Sequence, residues 1–350
     1  SLILTTSFIK KPGGNHGGDW TARISVTASN SQFEGEQISI LLYSAIEEKT
    51  KGWIKPSRFG NSLLTGIIGE TENLGAFNIK LYNHSGEVEH ESFLSCAAQG
   101  LHVLKETVVD SLRLVTDRQN GNKKRIVLSG EFLPIIDGKK AESNFIVTQI
   151  TAKIPIKIDV VFESGSYMDR PGTLIGKTYT QELKWHRDNF HQKFEKVFKL
   201  QTKGYKSDEI QFAKATFSNL IGGVGYFYGA SRVESPYTRG PVPYWKAPLY
   251  TSVPSRSFFP RGFLWDEGFH GLLISSWDLD IELDIINHWF DLMNVEGWIP
   301  REQILGQEAL SKVPEQFVTQ RNSNANPPTF FLTLHFISTL LATYFSVSTI

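Results

Sequence analysis

The chain is poor in several things, and each shortage removes a class of protein. It holds a single cysteine, Cys96, so no disulfide can form within it. It has no excess of either charge, with 36 basic and 36 acidic residues among 350. A nucleic-acid binder would show a basic excess or stripe. A surface drawn to acidic lipid would show a polybasic cluster. No Gly-rich phosphate loop follows a strand, and no Gly-x-Ser-x-Gly elbow appears. His84, Glu87 and His90 fit no standard metal-ligand spacing, and no residue pattern asks for a cofactor. No repeat and no low-complexity tract is visible. Ser1 opens on Leu-Ile-Leu-Thr-Thr without a basic region or a cleavage site. The N-terminus therefore reads as an interior point of a longer protein. Charge is also missing from Thr329 to Ile350. About 20 apolar residues can span a bilayer. This stretch carries His335 and many Ser and Thr, and lacks flanking basic residues. It reads as a buried helix, and a domain that stops inside such a helix reads as cut short.

Aromatics, by contrast, are plentiful. Trp numbers 8 and Phe 24, which suits a large core and a sugar-stacking groove equally. The length allows roughly two domains. Residues 1 to about 165 read as β. Thr21 to Ala28 alternates, with Ile24 and Val26 on one face. Gln37 to Ile46 and Phe145 to Phe162 are rich in β-branched residues. Leu112 and Leu114 share one face and Ile126 and Leu128 another, joined through an Asn120-Gly121 turn. Asp137-Gly138 marks a further turn. Many short strands with turn signals predict a sandwich rather than a parallel sheet.

Near residue 180 the period changes. Leu183, Phe190, Phe194, Val197 and Phe198 fall on one helical stripe. Another helix follows Ser207, read as its N-cap, with Asp208 and Glu209 in its first turn and Gly222-Gly223 at its end. Its apolar face is Ile210, Ala213, Phe217, Leu220 and Ile221. A proline-rich loop is expected from Pro236 to Pro254. Ile281, Ile285, Trp289 and Leu292 form a further stripe, stopped by Gly297.

Three loop segments in this second half are alike in make-up. They are Phe258 to His270, Gly297 to Gly306, and Gln320 to Thr329. Each combines Pro or Gly with Arg and an amide or acid. Binding groups gather in loops at one end of a scaffold. Aromatic faces suit C–H-rich sugar rings, and carboxylate and guanidinium groups fork onto hydroxyl pairs. Each residue also has a plainer reading. Arg301 and Glu302 fit a surface ion pair, Asn326 a turn before proline, and Trp298 core packing. Asp266 as general acid with Glu302 as base is one open assignment, because spacing alone does not exclude it. Asn83-His84-Ser85 is an N-glycosylation sequon, a weak pattern that would suit a lumenal protein.

The segments Phe258 to His270, Gly297 to Gly306 and Ala325 to Thr329 resemble glycoside hydrolase family 63, the family of processing α-glucosidases. So do Pro12 to Trp20 (Pro-Gly-Gly-Asn-His-Gly-Gly-Asp-Trp) and Gly222 to Gly229. The resemblance implies a multidomain β + α protein. A β-sandwich at 1–175 would precede, at 176–350, the first part of a catalytic (α/α)6 barrel, truncated at the C-terminus. It implies an inverting exo-α-glucosidase of the endoplasmic reticulum, acting on the terminal α-1,2-linked glucose of the triglucosylated N-glycan. The family's membrane anchor would lie upstream.

Inverting hydrolysis uses two carboxyl groups ~6.5–9.5 Å apart, which the adjacent Asp266 and Glu267 do not suit. Related trehalases share an Arg…Trp-Asp segment and a downstream Gln-Pro-Pro segment that line the glucose pocket, while acid and base come from later barrel helices. Matched by position, Arg261, Phe263, Trp265, Asp266 and Asn326 become substrate-binding residues. Arg301, Glu302 and Gln303 become candidates for the same wall. Where the trehalases have Gln, this chain has Asn326. The acid and base would then lie beyond Ile350, so this chain alone is expected to be inactive. A half barrel exposes inner helix faces, so poor solubility is also expected. The other readings are a trehalase-like (α/α)6 glycosidase and a non-catalytic carbohydrate-binding truncation product.

Overall fold

The computed structural model describes residues 1–47, 51–58, 65–85, 87–117, 121–133, 135–136, 138–324 and 326–347. Two compact units result, Ser1–Asp188 and Asn189–Ile350. The first is β-rich and the second is largely helical.

The first unit opens with β1 (Leu2–Lys11), β2 (Asp19–Ala28), β3 (Gln37–Ala45), β4 (Gly52–Arg58), β5 (Thr65–Thr71), β6 (Gly75–Ser85) and β7 (Val88–Cys96). Helix α1 (Leu104–Ser111) comes next, then β8 (Leu112–Asp117), β9 (Lys123–Leu128) and β10 (Gly130–Phe132). The short pair β11 (Ile135–Ile136) and β12 (Lys139–Lys140) precedes β13 (Phe145–Lys153) and β14 (Ile156–Ser164). One sheet runs β1-β2-β14-β6-β5-β4 and another β10-β7-β13-β3. Ile54, Ile67, Phe77 and Phe162 of the first sheet pack on Ile146 of the second. Val26, Leu81, Ile156 and Ile158 meet Ile150 and Ala152 in the same way. The two sheets thus face each other as a sandwich. In β13 every residue but the last is buried, as its apolar and β-branched run requires of a central strand.

The expected strands at 21–28, 37–46 and 145–162 all form, the last as two strands. Leu112 pairs with Leu128 and Leu114 with Ile126, so the predicted two faces are one face of a hairpin. Only its Leu112–Leu128 end is covered, and Leu114 and Ile126 lie exposed. The Asn120 and Asp137 turn residues lie outside the described residues. Helix α1 interrupts the run of strands without a signal in the alternation. Asn83 sits on β6, exposed and opposite Ile158 of β14.

Part of the outer face of the six-stranded sheet is polar and buried. Arg23 and Asp159 are cross-strand partners, joined by two hydrogen bonds, Nε to Oδ1 at 2.6 Å and Nη2 to Oδ2 at 2.8 Å. Helix α2 (Gly176–Phe198) starts over them. Gly176 N–H donates to Asp159, and Thr180 accepts from Arg23. His84 Nε2 lies 2.7 Å from Asp159, so this imidazole serves the carboxylate.

The second unit continues with α3 (Ser207–Gly222), β15 (Val224–Gly229), β16 (Arg232–Glu234), β17 (Val242–Pro243), β18 (Ala247–Ser252) and β19 (Gly262–Phe263). Then come α4 (Leu264–Trp277), α5 (Leu279–Phe290), β20 (Glu302–Gln303), α6 (Gly306–Ser311), α7 (Glu315–Val318), β21 (Thr319–Arg321) and α8 (Phe330–Val347). Its core joins Ile285, Ile286 and Trp289 of α5 to Leu249 of β18, Ile274 of α4 and Phe330 and Ile337 of α8.

Four expectations need correction. The N-cap of α3 is Lys206, whose N–H donates to Glu209 at 2.7 Å, and Ser207 is already helical. Helix α5 ends at Phe290, before Gly297, with Asp291 as its C-cap, and Asn294 closes a separate turn beyond it, accepting from the N–H groups of Glu296 and Trp298. The expected loop at 236–254 contains β18, whose alternation of Leu249 and Thr251 inward pairs it with β15. Helix α8 is buried on one face only: Phe330, Thr333 and Ile337 are covered, while Phe331 and Leu332 are exposed. No helix among the described residues is long and apolar enough to cross a membrane.

Candidate active site

The Phe258–His270 segment is not a loop throughout. From Leu264 onward it is helix α4, so Trp265, Asp266 and Glu267 occupy its first turn, where acidic groups suit the positive helix end. Proline and glycine signal a loop here, but the glycines serve contact instead. A Cβ on Gly268 would strike Thr329, and one on Gly271 would strike Glu282. Only glycine lets α4 lie this close to α8 and α5. The approach is sealed by hydrogen bonds: Thr329 donates to the Trp265 carbonyl and Thr333 to the Gly268 carbonyl, both at 2.6 Å.

The three segments converge. Gly262 pairs with Gln303 and Phe263 with Glu302 in a short antiparallel ladder. Leu264 N–H donates to the Arg301 carbonyl at 2.9 Å. The Gln320 side chain accepts from Glu302 N–H at 3.0 Å, which ties in the third segment. A cavity of about 510 Å3 opens here, lined by Arg301, Glu302, Phe317, Gln320, Arg321 and Asn324 among others.

Two arginines bracket Glu302. Arg261 Nε donates to its Oε2 at 2.8 Å and Arg301 Nη2 to its Oε1 at 2.9 Å. Arg261 is buried, with its guanidinium carbon 5.3 Å from the Phe259 ring centroid and 4.8 Å from that of Phe263. Its buried Nη1 has no hydrogen-bond partner among the described residues. Gln303 is fully engaged: Ser231 donates to its Oε1 at 2.9 Å, and its Nε2 donates to the Pro300 carbonyl at 3.1 Å.

Asp266 is the contrasting carboxylate. It is half-buried and takes no hydrogen bond from another side chain among the described residues. Burial pushes its carboxyl above the ordinary aspartate value, and Glu302 adds to this. Its own backbone N–H, His270 and Arg301 pull the other way. Trp265 and Phe269 stand beside it, both partly exposed, with ring centroids 6.0 Å apart. Asn326 is half-buried before Pro327-Pro328 and makes no hydrogen bond to these groups among the described residues.

Behind this surface lies a feature that sequence reasoning missed. Glu267 is fully buried and accepts from Thr251 Oγ1 and from Ser252 N–H. Glu282 of α5 is also fully buried, and neither of its oxygens has a hydrogen-bond partner among the described residues. Burial, with the Glu267 charge adding to it, pushes Glu282 up to about 8. Burial likewise raises Glu267. The sequence does carry a signal, since Glu282 stands one helical turn before Ile285 and Ile286 on the apolar stripe.

The sequence and the site together define a class. Residues 174–346 match the C-terminal domain of glycosyl hydrolase family 63, and residues 1–131 match its N-terminal domain. The chain belongs to that family. It is 38% identical over 351 residues to a mannosyl-oligosaccharide glucosidase of Arabidopsis thaliana, an alignment covering 95% of this chain and 39% of that protein. It is 35% identical to alpha-glucosidase 2 of the same plant, covering 95% of this chain and 43% of that protein. A probable mannosyl-oligosaccharide glucosidase of Schizosaccharomyces pombe is 30% identical, with 95% and 45% covered. The chain therefore spans less than half the length of these relatives.

Proposed function

We propose that the full-length protein is an inverting exo-α-glucosidase that removes the terminal α-1,2-linked glucose from the triglucosylated N-glycan, in the lumen of the endoplasmic reticulum. In this reading the second unit is the first part of an (α/α)6 barrel, and it holds one wall of the glucose pocket. The observation that carries the reading is the convergence of three separate segments on an Arg261–Glu302–Arg301 bracket beside Asp266, a carboxylate that no other side chain pairs among the described residues.

Asp266 takes two sugar hydroxyls, as a carboxylate without a side-chain partner can. Trp265 offers its ring to the C–H face of the glucose. Arg301 is half-exposed and can donate to a further hydroxyl while still holding Glu302. Glu302 positions both arginines, because each of its oxygens already accepts from one of them. It is therefore a poor general base, and the pairing of Asp266 as acid with Glu302 as base loses its second member. Glu267 is sealed in the core. In this reading Asp266 binds the sugar rather than protonating it, and the two carboxyl groups an inverting mechanism uses come from the remainder of the longer protein.

The test compares full-length protein with this 350-residue chain on an α-1,2-linked glucose trisaccharide and on trehalose. Release of β-glucose from the trisaccharide by the full-length protein alone is expected. Cleavage of trehalose instead, or turnover by the shorter chain, overturns the reading.

A further inference from the structure

The Pro12–Trp20 segment takes no part in the site above, yet the first unit holds it at several points. It joins β1 to β2 and turns through Gly14, Gly17 and Gly18, with φ of +60°, +83° and +85°. These are left-handed conformations that favour glycine. The buried Asp19 carboxylate anchors it, accepting from Ser164 N–H at 2.8 Å and Arg170 Nε at 2.9 Å. Asn15 N–H donates to Ser166 Oγ at 3.1 Å. A Cβ on Gly13 would run into the Tyr167 ring. His16 lies across the β5–β6 turn, where a Cβ on Gly75 would come within 3.0 Å of its Nε2. A loop fixed at this many points arrives pre-organised.

What it borders is a cavity of about 670 Å3 at one end of the sandwich. That lies within the ~300–1,000 Å3 typical of small-molecule sites. The floor is aromatic: Phe162 stacks on Phe77 with centroids 5.1 Å apart and on Trp20 at 5.4 Å. The rest of the lining is mixed and carries both signs of charge, with Lys10, His16, Glu47 and Asn73 beside the exposed Tyr43 and Leu74. An anion would be better served by donors alone, and Glu47 would repel it. A purely apolar ligand would strip water from the rim without replacing its hydrogen bonds. A neutral polyol satisfies both, with hydroxyls for the mixed rim and C–H faces for the aromatic floor.

We propose that this end of the sandwich is a second carbohydrate site, which binds a short neutral oligosaccharide without cleaving it. The inference stands on the first unit alone, whether or not Asp266 binds glucose.

The test uses full-length protein carrying Asp266→Asn, titrated by calorimetry with maltotriose and with α-1,2-mannobiose. Inorganic phosphate and indole serve as the anionic and apolar probes. At least one of the two sugars is expected to bind, and neither control. Glu47→Ala and Asn73→Ala are each expected to weaken that binding about tenfold, with the melting temperature unchanged. Absence of sugar binding overturns the proposal, as does binding of phosphate or indole in place of sugar. Sugar binding that survives both substitutions also overturns it. Loss of glucose release in Asp266→Asn concerns only the second unit, so the two readings fail separately.

Discussion

Each unit of this chain buries carboxylates, and the two do so in opposite ways. In the β-rich unit Asp159 is fully enclosed but accepts from Arg23 and from Gly176 N–H, with His84 Nε2 2.7 Å away. Burial pushes its carboxyl up, yet the bonds from Arg23 and Gly176 and the charges of Arg23 and His84 outweigh that and hold it below the ordinary value. Glu163 behaves alike, with Lys80 and Thr173 as its partners. In the helical unit Glu282 is enclosed without a partner among the described residues, and Glu267 adds like charge, so its carboxyl is pushed up to about 8. Burial alone does not decide whether an acid is charged. The donors that come with it do.

The strongest way to break the contrast is Arg23→Ala. It leaves Asp159 buried without its main partner and is expected to cost about 3–5 kcal/mol, read as a lower denaturation midpoint of the first unit. This contribution has a pH sign. The folded carboxyl titrates below its unfolded value, so the stabilisation is full above the ordinary carboxylate range and is lost as pH falls from there through the lower folded value. A variant that melts like the parent at pH 7 would remove the contrast.

Glu282→Gln should act the other way. The folded acid keeps its proton up to about 8, whereas the unfolded chain releases it near the ordinary glutamate value. Native stability therefore falls as pH rises between those two values. The uncharged variant is expected to be more stable by about 3 kcal/mol at pH 7, with little difference at pH 4. Chemical denaturation at both pH values checks this, and a variant less stable at pH 7 would mean that Glu282 is held charged.

Smaller effects sharpen the picture. Gly268→Ala drives a methyl into Thr329 and should cost about 1–3 kcal/mol, seen as a lower melting temperature of the second unit. Glu209→Ala removes only the bond to Lys206 N–H at the start of α3, for about 0.5–1 kcal/mol.

The same physics explains what is legible in the sequence. Strands such as β2 and β13 show themselves because one or both faces must be apolar, and the stripe of α5 does so for the same reason. The segment that runs into α4 looks like a loop because Pro260, Gly262 and Gly268 are residues that loops favour. The role of the glycines is contact with elements distant in the chain, which no local pattern encodes. The three site segments can be picked by composition. Their junction through the Gly262–Gln303 ladder and the Gln320 side chain cannot, since those pairings depend on the tertiary fold. As acids in a sequence, Asp266 and Glu302 look equivalent. Only the placement of Arg261 and Arg301 separates a carboxylate that holds arginines from one left open to a ligand.

That separation is the central claim, and equilibrium binding of glucose to full-length protein tests it most directly. Asp266→Asn is expected to weaken glucose binding about tenfold or more, while the melting temperature and the circular dichroism spectrum stay those of the parent. Glucose bound as tightly by Asp266→Asn as by the parent would contradict the account.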